Sequence, residues 1–449
     1  MVPAPSNSPD TGPASAPAMH AEVLHADVAV IGGGVIGHAI AWEARRSGRS
    51  VVLIDDAPGT GASWAAAGML APVSELHYQE EDLLELMLES SGLWPAFAAN
   101  LALAGGGDTG YLTTPTIAVG ADAADRRALM DLRAVQQANG LVVEPLTVRE
   151  ARARESLLSP AISCALDIPA DHQVDPRKLV ACLQEVLAAH GPGAGTAVEG
   201  ARGGFAVDQR ATALRWEDGR VSGVTLAHGG NVRAGDTIVA NGLQAASLAG
   251  LPEGLRLPLR PVHGDILRLA VPRHLRPLLT STVRGMVHGV PVYIVPRQDG
   301  TVVIGATQRE DALTDTGDAA VSAGGVYQLL RDAQVLLPAV SELELLECTA
   351  RARPATPDNA PLLGRVPANA PGTANIAGLI VATGFFRHGV LLAPAAAAIC
   401  RELLDGRQDP RWGALGPARF SGNHHVAGTL SPRTDFGRAK DLDPQKEPS

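Results

Sequence analysis

The chain has 449 residues, a net charge of −10 and 19% charged side chains. This length predicts about two to three domains. The negative balance argues against nucleic-acid binding, which needs a clustered basic face, so no nucleic-acid partner is expected. The 46% hydrophobic content is ordinary for a globular enzyme.

Both ends of the chain have the composition of disordered tails. Residues 1–25 are rich in Pro, Ala and Ser, and residues 421–449 are polar and charged. No Lys or Arg precedes Arg45, so neither a signal peptide nor a transit peptide is predicted. The apolar stretch 28–42 contains three consecutive glycines and is too short to cross a bilayer. A cytoplasmic protein without a membrane partner is therefore expected.

The first unit with a recognisable pattern is a βαβ unit. Residues 27–31 and 51–54 are short apolar strands, and residues 35–47 have the composition of a helix that stops at Gly48. This order of elements places a strand-to-helix turn at residues 32–34, where dinucleotides bind in such units.

The turn carries Gly32, Gly34 and Gly37 in the spacing G-x-G-x-x-G. These glycines allow a tight turn, close approach of a pyrophosphate and close packing of helix on strand. The first helical residues, Val35 and Ile36, would present N–H groups to the phosphates. The sequence therefore predicts dinucleotide binding, although the motif alone does not separate NAD from FAD.

Asp55 ends the second strand, where an acid binds the ribose hydroxyls and disfavours NADP. Two alternatives stay open for this position. In the first alternative, Asp55 is only a solvated carboxylate at the end of the strand. In the second, the neighbouring Asp56 binds the ribose hydroxyls.

The segment GTGASWAAAGMLAP, residues 59–72, resembles the flavin-proximal loop of the D-amino acid oxidase superfamily, and most closely that of glycine oxidases of thiamine biosynthesis. Six further blocks resemble this family in its own order: residues 171–184, 236–248, 260–269, 293–307, 351–364 and 381–394. The resemblance extends over about residues 26–412 and implies bound FAD. The residues that it places at the cofactor are Ser63, Ala66, Ala67, Gly68, Met69, Val174, Gly384, His388, Gly389, Val390 and Leu391.

The resemblance also implies three residues at the substrate. Arg353 would hold the substrate carboxylate in a bidentate pair, and Tyr293 would reach the same carboxylate with its hydroxyl. Arg387 would be a second arginine beside the flavin. The alternatives are a structural Arg353, an ordinary strand aromatic at Tyr293, and an Arg387 that contacts only flavin or backbone.

The reaction implied by the resemblance is oxidative deamination of a small amino acid such as glycine, sarcosine or D-alanine. Hydride passes from the α-carbon to flavin N5, the imine hydrolyses to an oxo acid and ammonia, and oxygen is reduced to hydrogen peroxide. The expected partners are the amino acid and oxygen, and a homo-oligomer is left open. The rival functions are a D-amino acid dehydrogenase that reduces quinone and a flavin-binding scaffold without turnover.

Three positions depart from the family pattern and concern the pocket walls. Pro291 and Val292 make one wall less polar, whereas Gln308 makes the other more polar. Both changes bear on which amine is the substrate.

The four cysteines, Cys164, Cys182, Cys348 and Cys400, are scattered and predict reduced thiols without a metal site. Cys348 lies in a region where sarcosine oxidases attach flavin covalently, but its spacing does not fit that role. Non-covalent FAD is therefore expected.

The predicted fold class is mixed α/β (α+β mixed), with a Rossmann-like FAD-binding domain and an interleaved antiparallel-sheet substrate domain. The FAD-binding domain is predicted to comprise residues 26–90, 165–255 and 350–412. The substrate domain would comprise residues 91–164 and 256–349.

Overall fold

The computed structural model describes residues 23–76, 80–189, 196–310, 320–368 and 375–421. Apart from residues 23–25 and Ser421, the two predicted tails lie outside the described residues. Residues 23–25 correct the predicted boundary of the first tail, because they begin a strand and pair with residues 231–233. Local composition does not reveal a strand partner so distant in the chain.

The described residues form strands and helices that alternate along the chain. The α-helices are α1 (Val35–Arg46), α2 (Ala62–Ala65), α3 (Leu84–Leu103), α4 (Ala123–Ala138), α5 (Val148–Arg154), α6 (Pro176–Ala188), α7 (Ala323–Leu336) and α8 (Ala393–Leu404). The strands are β1 (Val23–Ile31), β2 (Val51–Ile54), β3 (Met69–Leu70), β4 (Thr116–Gly120), β5 (Glu144–Leu146), β6 (Cys164–Ile168), β7 (His172–Gln173), β8 (Ala206–Val207), β9 (Ala211–Glu217), β10 (Arg220–Leu226), β11 (Asn231–Val239), β12 (Arg260–Ala270), β13 (Thr282–Val287), β14 (Val290–Pro296), β15 (Thr301–Gly305), β16 (Glu344–Ala355), β17 (Leu362–Pro367) and β18 (Asn375–Thr383).

The first sheet has a parallel centre. Its order is β17-β18-β11-β1-β2-β8, with β10 paired to β11 and β9 paired to β10. The pairs β11–β18, β1–β11, β1–β2 and β2–β8 are parallel. The predicted βαβ unit is therefore present as β1, α1 and β2, and β1 is central.

Both faces of this sheet are covered, which explains its continuous apolar strands. On β1, Val28 and Val30 belong to a core shared with α1, α3, α6 and α8. Ala29 and Ile31 belong to a second core on the opposite face. This alternation follows from the two-residue period of a strand.

The second sheet has the order β16-β12-β15-β14-β13-β4-β6-β5. Its described pairs are antiparallel except for β4–β13, which is parallel. Helix α7 packs on this sheet, where Leu329, Ala333 and Leu336 join its apolar core. The strands β3 and β7 form a separate two-stranded sheet.

The mixed α/β fold class is confirmed by these sheets. Three of the predicted domain boundaries are wrong in detail, because they cut through elements: 90/91 lies within α3, 164/165 within β6 and 349/350 within β16. The whole of β6 pairs in the second sheet. The division of the chain into two domains otherwise stays a prediction. No helix among the described residues has the length and apolar character needed to cross a membrane.

Candidate active site

Residues from both sheets line one cavity of about 480 Å³, within the ~300–1,000 Å³ range of ligand sites. It brings together most of the residues predicted from the sequence. Those that line it are Gly32, Gly34, Val35, Ile36, Asp55, Ser63, Ala66, Ala67, Gly68, Met69, Tyr293, Arg353, Gly384, Arg387, His388, Gly389, Val390 and Leu391. Gly37 and Val174 are not among the lining residues.

The glycine turn leaves no room for side chains. Gly32 has φ +109°, and a Cβ there would lie 2.6 Å from the carbonyl oxygen of Ala240. A Cβ on Gly37 would lie 1.8 Å from the carbonyl oxygen of Gly32. Gly37 therefore acts behind the cavity wall, where it lets α1 pack against the turn.

The amino end of α1 opens into this part of the cavity. Gly34 has no side chain with which to cap the helix, and the Val35 N–H donates to Ser63 Oγ at 3.0 Å. The remaining N–H groups of a first helical turn have no partner within the helix. Such groups, with the positive end of the helix dipole, suit a phosphate.

Asp55 is fixed against the glycine turn. Its Oδ2 accepts the Gly33 N–H at 2.6 Å, and its Oδ1 accepts the Ala57 N–H at 2.7 Å. Asp56 also lines the cavity, but its carboxylate pairs with Arg210 at 2.9 Å. This geometry favours Asp55 over Asp56 as the ribose ligand, a role that stays a prediction.

Residues 59–72, here called the small-residue loop, are held by main-chain contacts on the side away from the cavity. Gly68 has φ +74°, and a Cβ there would lie 2.0 Å from the carbonyl oxygen of Val174. The Val174 N–H donates to the Gly68 carbonyl at 2.9 Å. Val174 thus supports the loop from outside the cavity.

Arginines hold the same loop by its carbonyl groups. Arg351 donates to Thr60 O at 2.9 Å, Arg268 donates to Trp64 O at 3.2 Å, and Arg297 donates to Ala67 O. Burial lowers the pKa of Arg297 to about 10, although Asp175 opposes the shift. These arginines were not predicted, since each is far from the loop in sequence.

Tyr293 and Arg353 enter the cavity above two glycines. A Cβ on Gly305 would lie 2.4 Å from the Tyr293 hydroxyl, and one on Gly264 would lie 2.4 Å from Arg353 Nη1. Burial raises the pKa of Tyr293, although Arg353 opposes the shift. The phenol therefore stays protonated and able to donate.

Arg353 lacks a carboxylate partner among the described residues. Its guanidinium has one hydrogen bond there, from Nη1 to the carbonyl oxygen of Thr307 at 3.5 Å. A guanidinium has five donors. Arg353 can therefore still take a carboxylate in a bidentate pair.

Arg387 lines the cavity but already has carboxylate partners. Its Nε lies 2.9 Å from Glu75 Oε2, and its other nitrogens contact Glu80. Glu75 also pairs with Arg284. Burial by itself would raise the pKa of Glu75, but Arg284 and Arg387 outweigh it and hold that pKa well below its ordinary value. The geometry thus favours a structural role for Arg387, and substrate contact stays a prediction.

The segment after β18 forms another part of the cavity wall. Gly384 has φ +75°, and a Cβ there would lie 2.7 Å from Thr356 Cγ2. The Leu391 carbonyl accepts from Ser90 Oγ at 2.7 Å and from Trp94 Nε1 at 2.9 Å. Helix α3 therefore fixes the position of Val390 and Leu391 in the wall.

The model of the family described as FAD dependent oxidoreductase matches residues 27–403. The chain belongs to this family. Members depend on FAD, so FAD is the cofactor. The described residues fit such a group: the glycine turn has no space for side chains, the start of α1 supplies N–H donors, and Ala65, Ala66 and Ala67 leave room along the wall.

Relatives within the family cover nearly the whole chain. A glycine oxidase of Geobacillus kaustophilus is 34% identical over 89% of this chain and 97% of its own. A protein named as a thiamine biosynthesis oxidoreductase, ThiO, of Rhizobium etli is 30% identical over 85% of this chain and 98% of its own. The crystal structure of glycine oxidase from Geobacillus kaustophilus has a TM-score of 0.75, at 30% identity, over 88% of this chain and 99% of that one.

Several lining residues of this family member were not named individually from the sequence, although some lie in the family block 236–248. Asn241, Gly242 and Gln244 follow β11, which pairs in parallel beside β1. Ligands of such sheets bind at the carboxyl ends of the strands, so this position was a usable signal. Glu75 and Arg284 had no signal, because only the folded chain brings them together.

The structure also shows where the predicted pocket-wall residues and Cys348 lie relative to the cavity. Pro291, Val292 and Gln308 all line the cavity, whereas Cys348 does not. Cys348 instead lies on β16 opposite Leu267 of β12. Within the described residues, no group of His, Cys, Asp and Glu is arranged to hold a metal ion.

Proposed function

We propose that this FAD-dependent oxidoreductase oxidises a small amino acid, glycine or a close relative such as sarcosine or D-alanine. For glycine, the balanced reaction consumes water and oxygen and yields glyoxylate, ammonia and hydrogen peroxide. The observation that carries the proposal is Arg353, a cavity guanidinium without a carboxylate partner among the described residues, beside the buried hydroxyl of Tyr293.

Arg353 and Tyr293 together would position the substrate. The guanidinium takes the α-carboxylate in a bidentate pair, and the protonated Tyr293 donates to the same group. These two anchors fix the carboxylate, so that only the rest of the molecule must be aligned. Orientation of this kind contributes a large part of the rate enhancement of an enzyme.

The surrounding residues suit a small amine. Ala66, Ala67, Ile266 and Val292 are apolar lining residues, so this part of the wall offers no side-chain hydrogen-bond partners to water. In a site with little water, the charge interactions of Arg353 are stronger. FAD, when bound, supplies the hydride acceptor, so the chain needs no metal and no nucleophile for this step.

The relatives support the choice of substrate and pathway. One is a glycine oxidase with a crystal structure that the chain matches closely, and another is named for thiamine biosynthesis. We therefore propose that the oxidised product serves the formation of the thiamine thiazole. Cys348 lies outside the cavity lining, which supports FAD held without a covalent bond.

A substrate screen coupled to peroxide detection tests the proposal. Glycine, sarcosine and D-alanine should each give peroxide in proportion to the oxo acid and the released amine: ammonia from glycine and D-alanine, methylamine from sarcosine. The same assays with a quinone analogue provide the comparison. Negligible peroxide from glycine, together with fast quinone reduction by bulky D-amino acids, would favour the dehydrogenase instead.

A further inference from the structure

The arginines that line the cavity differ in their partners. Arg351 donates to carbonyl oxygens, those of Thr60 at 2.9 Å and Ala350 at 2.8 Å. Arg284 and Arg387 pair with carboxylates. Arg353 has no carboxylate partner among the described residues. The lining arginines are therefore of three kinds. Arg284 and Arg387 are neutralised by carboxylates. Arg351 is bonded to main-chain carbonyls, whereas Arg353 has one long main-chain hydrogen bond.

Glu75 joins the two neutralised arginines. Its Oε1 pairs with Arg284 and its Oε2 lies 2.9 Å from Arg387 Nε. Glu80 completes the cluster on the other side of Arg387. Two carboxylates thus balance two guanidinium groups, and the side chains are between 11% and 16% exposed.

The cluster lies close to the predicted substrate anchors. Arg284 on β13 is directly opposite Tyr293 on β14, so both side chains project from the same face of the sheet. Burial raises the pKa of Tyr293, Glu75 adds to this shift, and Arg353 and Arg284 oppose it. Glu75, Arg284 and Arg387 line the cavity, whereas Glu80 is not among the lining residues.

From this arrangement we propose that Glu75 determines substrate specificity. By neutralising Arg284 and Arg387, it restricts the site to amines with a single carboxylate and leaves Arg353 as the anchor. This inference rests on the proposed function, which places that carboxylate on Arg353.

The physical reason is a competition for donors. A second carboxylate on the ligand would need a guanidinium of its own. Glu75 already accepts from Arg284 and Arg387, and Arg351 already donates to Thr60 O and Ala350 O. The second carboxylate would also meet the negative charge of Glu75 at short range, and like charges brought together at a binding site disfavour a partner. Loss of the negative charge of Glu75 alone would leave the Arg284 guanidinium able to bind a ligand in the cavity.

The proposal can be tested by the binding of inert ligands to the FAD-loaded enzyme. Acetate and malonate carry one and two carboxylates, and both are titrated by the change in flavin absorbance. The wild-type enzyme should bind malonate no more tightly than acetate. In Glu75→Gln, the preference for malonate should rise roughly ten- to a hundred-fold, as expected for one new charge-assisted contact.

Two further variants show where the effect originates. Glu80→Gln removes a charge beside Arg387 but outside the cavity lining, and Glu75 still pairs with both Arg284 and Arg387. The ratio should therefore change much less than in Glu75→Gln. Glu75→Gln combined with Arg284→Gln removes the freed guanidinium and should restore the wild-type ratio. An increased ratio that persists in this double variant would contradict the role given to Arg284 and Glu75.

The wild-type measurement keeps the proposal testable even if Glu75→Gln does not fold. Malonate bound about tenfold more tightly than acetate by the wild-type enzyme would overturn it. An unchanged ratio in a Glu75→Gln variant that binds acetate would overturn it as well, while leaving the proposed function intact. If the wild-type enzyme bound neither ligand, the anchor at Arg353 and the proposed function would fail together with the inference.

Discussion

At one end of the cavity the wall is main chain, and at the other it is long side chains. Around Asp55, the shape comes from glycines whose absent Cβ atoms make space and from N–H groups at the start of α1. Around Arg353, it comes from arginine, glutamate and tyrosine side chains contributed by distant segments. The end around Asp55 should tolerate few substitutions, because its main chain has to fit one constant group, the cofactor. At the end around Arg353, the replacement of a single charged residue can change which ligand binds.

Arg353→Ala should have the largest effect of the variants considered, on turnover of the substrate and not on cofactor binding. Loss of one partner of a buried ion pair costs about 3–5 kcal/mol, which predicts a loss of roughly a hundred- to several-thousand-fold in kcat/KM for glycine. The FAD content should stay near that of the wild type. Arg233→Ala, at an exposed pair with Glu217, provides the control. A loss below about tenfold would place the substrate carboxylate elsewhere.

Asp55→Ala should act at the first end. Its carboxylate accepts two main-chain N–H groups and faces the cavity. Loss of a charge-assisted hydrogen bond weakens FAD binding by roughly ten- to a hundred-fold, as measured by titration of the apoenzyme. Asp56→Ala removes an exposed pair with Arg210 and should change the affinity by less than about fivefold. The opposite ranking of the two variants would show that Asp56 is the ribose ligand.

Gly264→Ala should show that the end of the cavity around Arg353 also depends on a residue without a Cβ atom. The added atom would lie 2.4 Å from Arg353 Nη1, so the guanidinium must move. Small displacements of a positioning group are costly, and we expect a loss of about tenfold in kcat/KM with unchanged FAD affinity. Gly92→Ala, where nothing lies within 4 Å of the added Cβ, is the matched control. Equal kinetics for the two variants would contradict the crowding at Gly264.

Asp171 should give the smallest effect, on stability rather than turnover. Its carboxylate accepts the N–H groups of Val73 and Ser74, directly before Glu75, and burial raises its pKa to about 6. Between about pH 5 and 7 the folded chain releases a proton that the unfolded chain has already lost. The free energy of unfolding should therefore fall by about 1 kcal/mol as pH rises through this window.

The measurement for Asp171 is chemical denaturation of the FAD-loaded enzyme at pH 5 and pH 7. Asp171→Asn removes the titrating group, so its unfolding free energy should change less between the two pH values than that of the wild type. An identical pH dependence in both proteins would show that Asp171 has an ordinary pKa.

The two ends also differ in how far they could be predicted from the sequence. The glycine turn and Asp55 were predictable, because main-chain geometry demands glycine at a fixed spacing within one contiguous βαβ unit. Arg353 and Tyr293 were reached only through resemblance to a family. Glu75 and Arg284 were not reached, since 209 residues separate the partners of that pair.

The same reason explains the errors in the domain boundaries. Local composition does not say which sheet a strand such as β6 or β16 joins. That choice depends on partners such as β4 for β6 and β12 for β16. Pairing between distant segments is a property of the assembled fold and has no local signature.

The central place of β1 in the first sheet has a consequence for synthesis on the ribosome. One of its two neighbours, β2, begins at Val51, directly after helix α1, but the other, β11, spans Asn231–Val239 and lies beyond the midpoint of the 449-residue chain. The nascent glycine turn therefore emerges long before the sheet beneath it can form, and long-range pairing of this kind is slow. Cofactor capture must wait until more than half of the polypeptide has been translated.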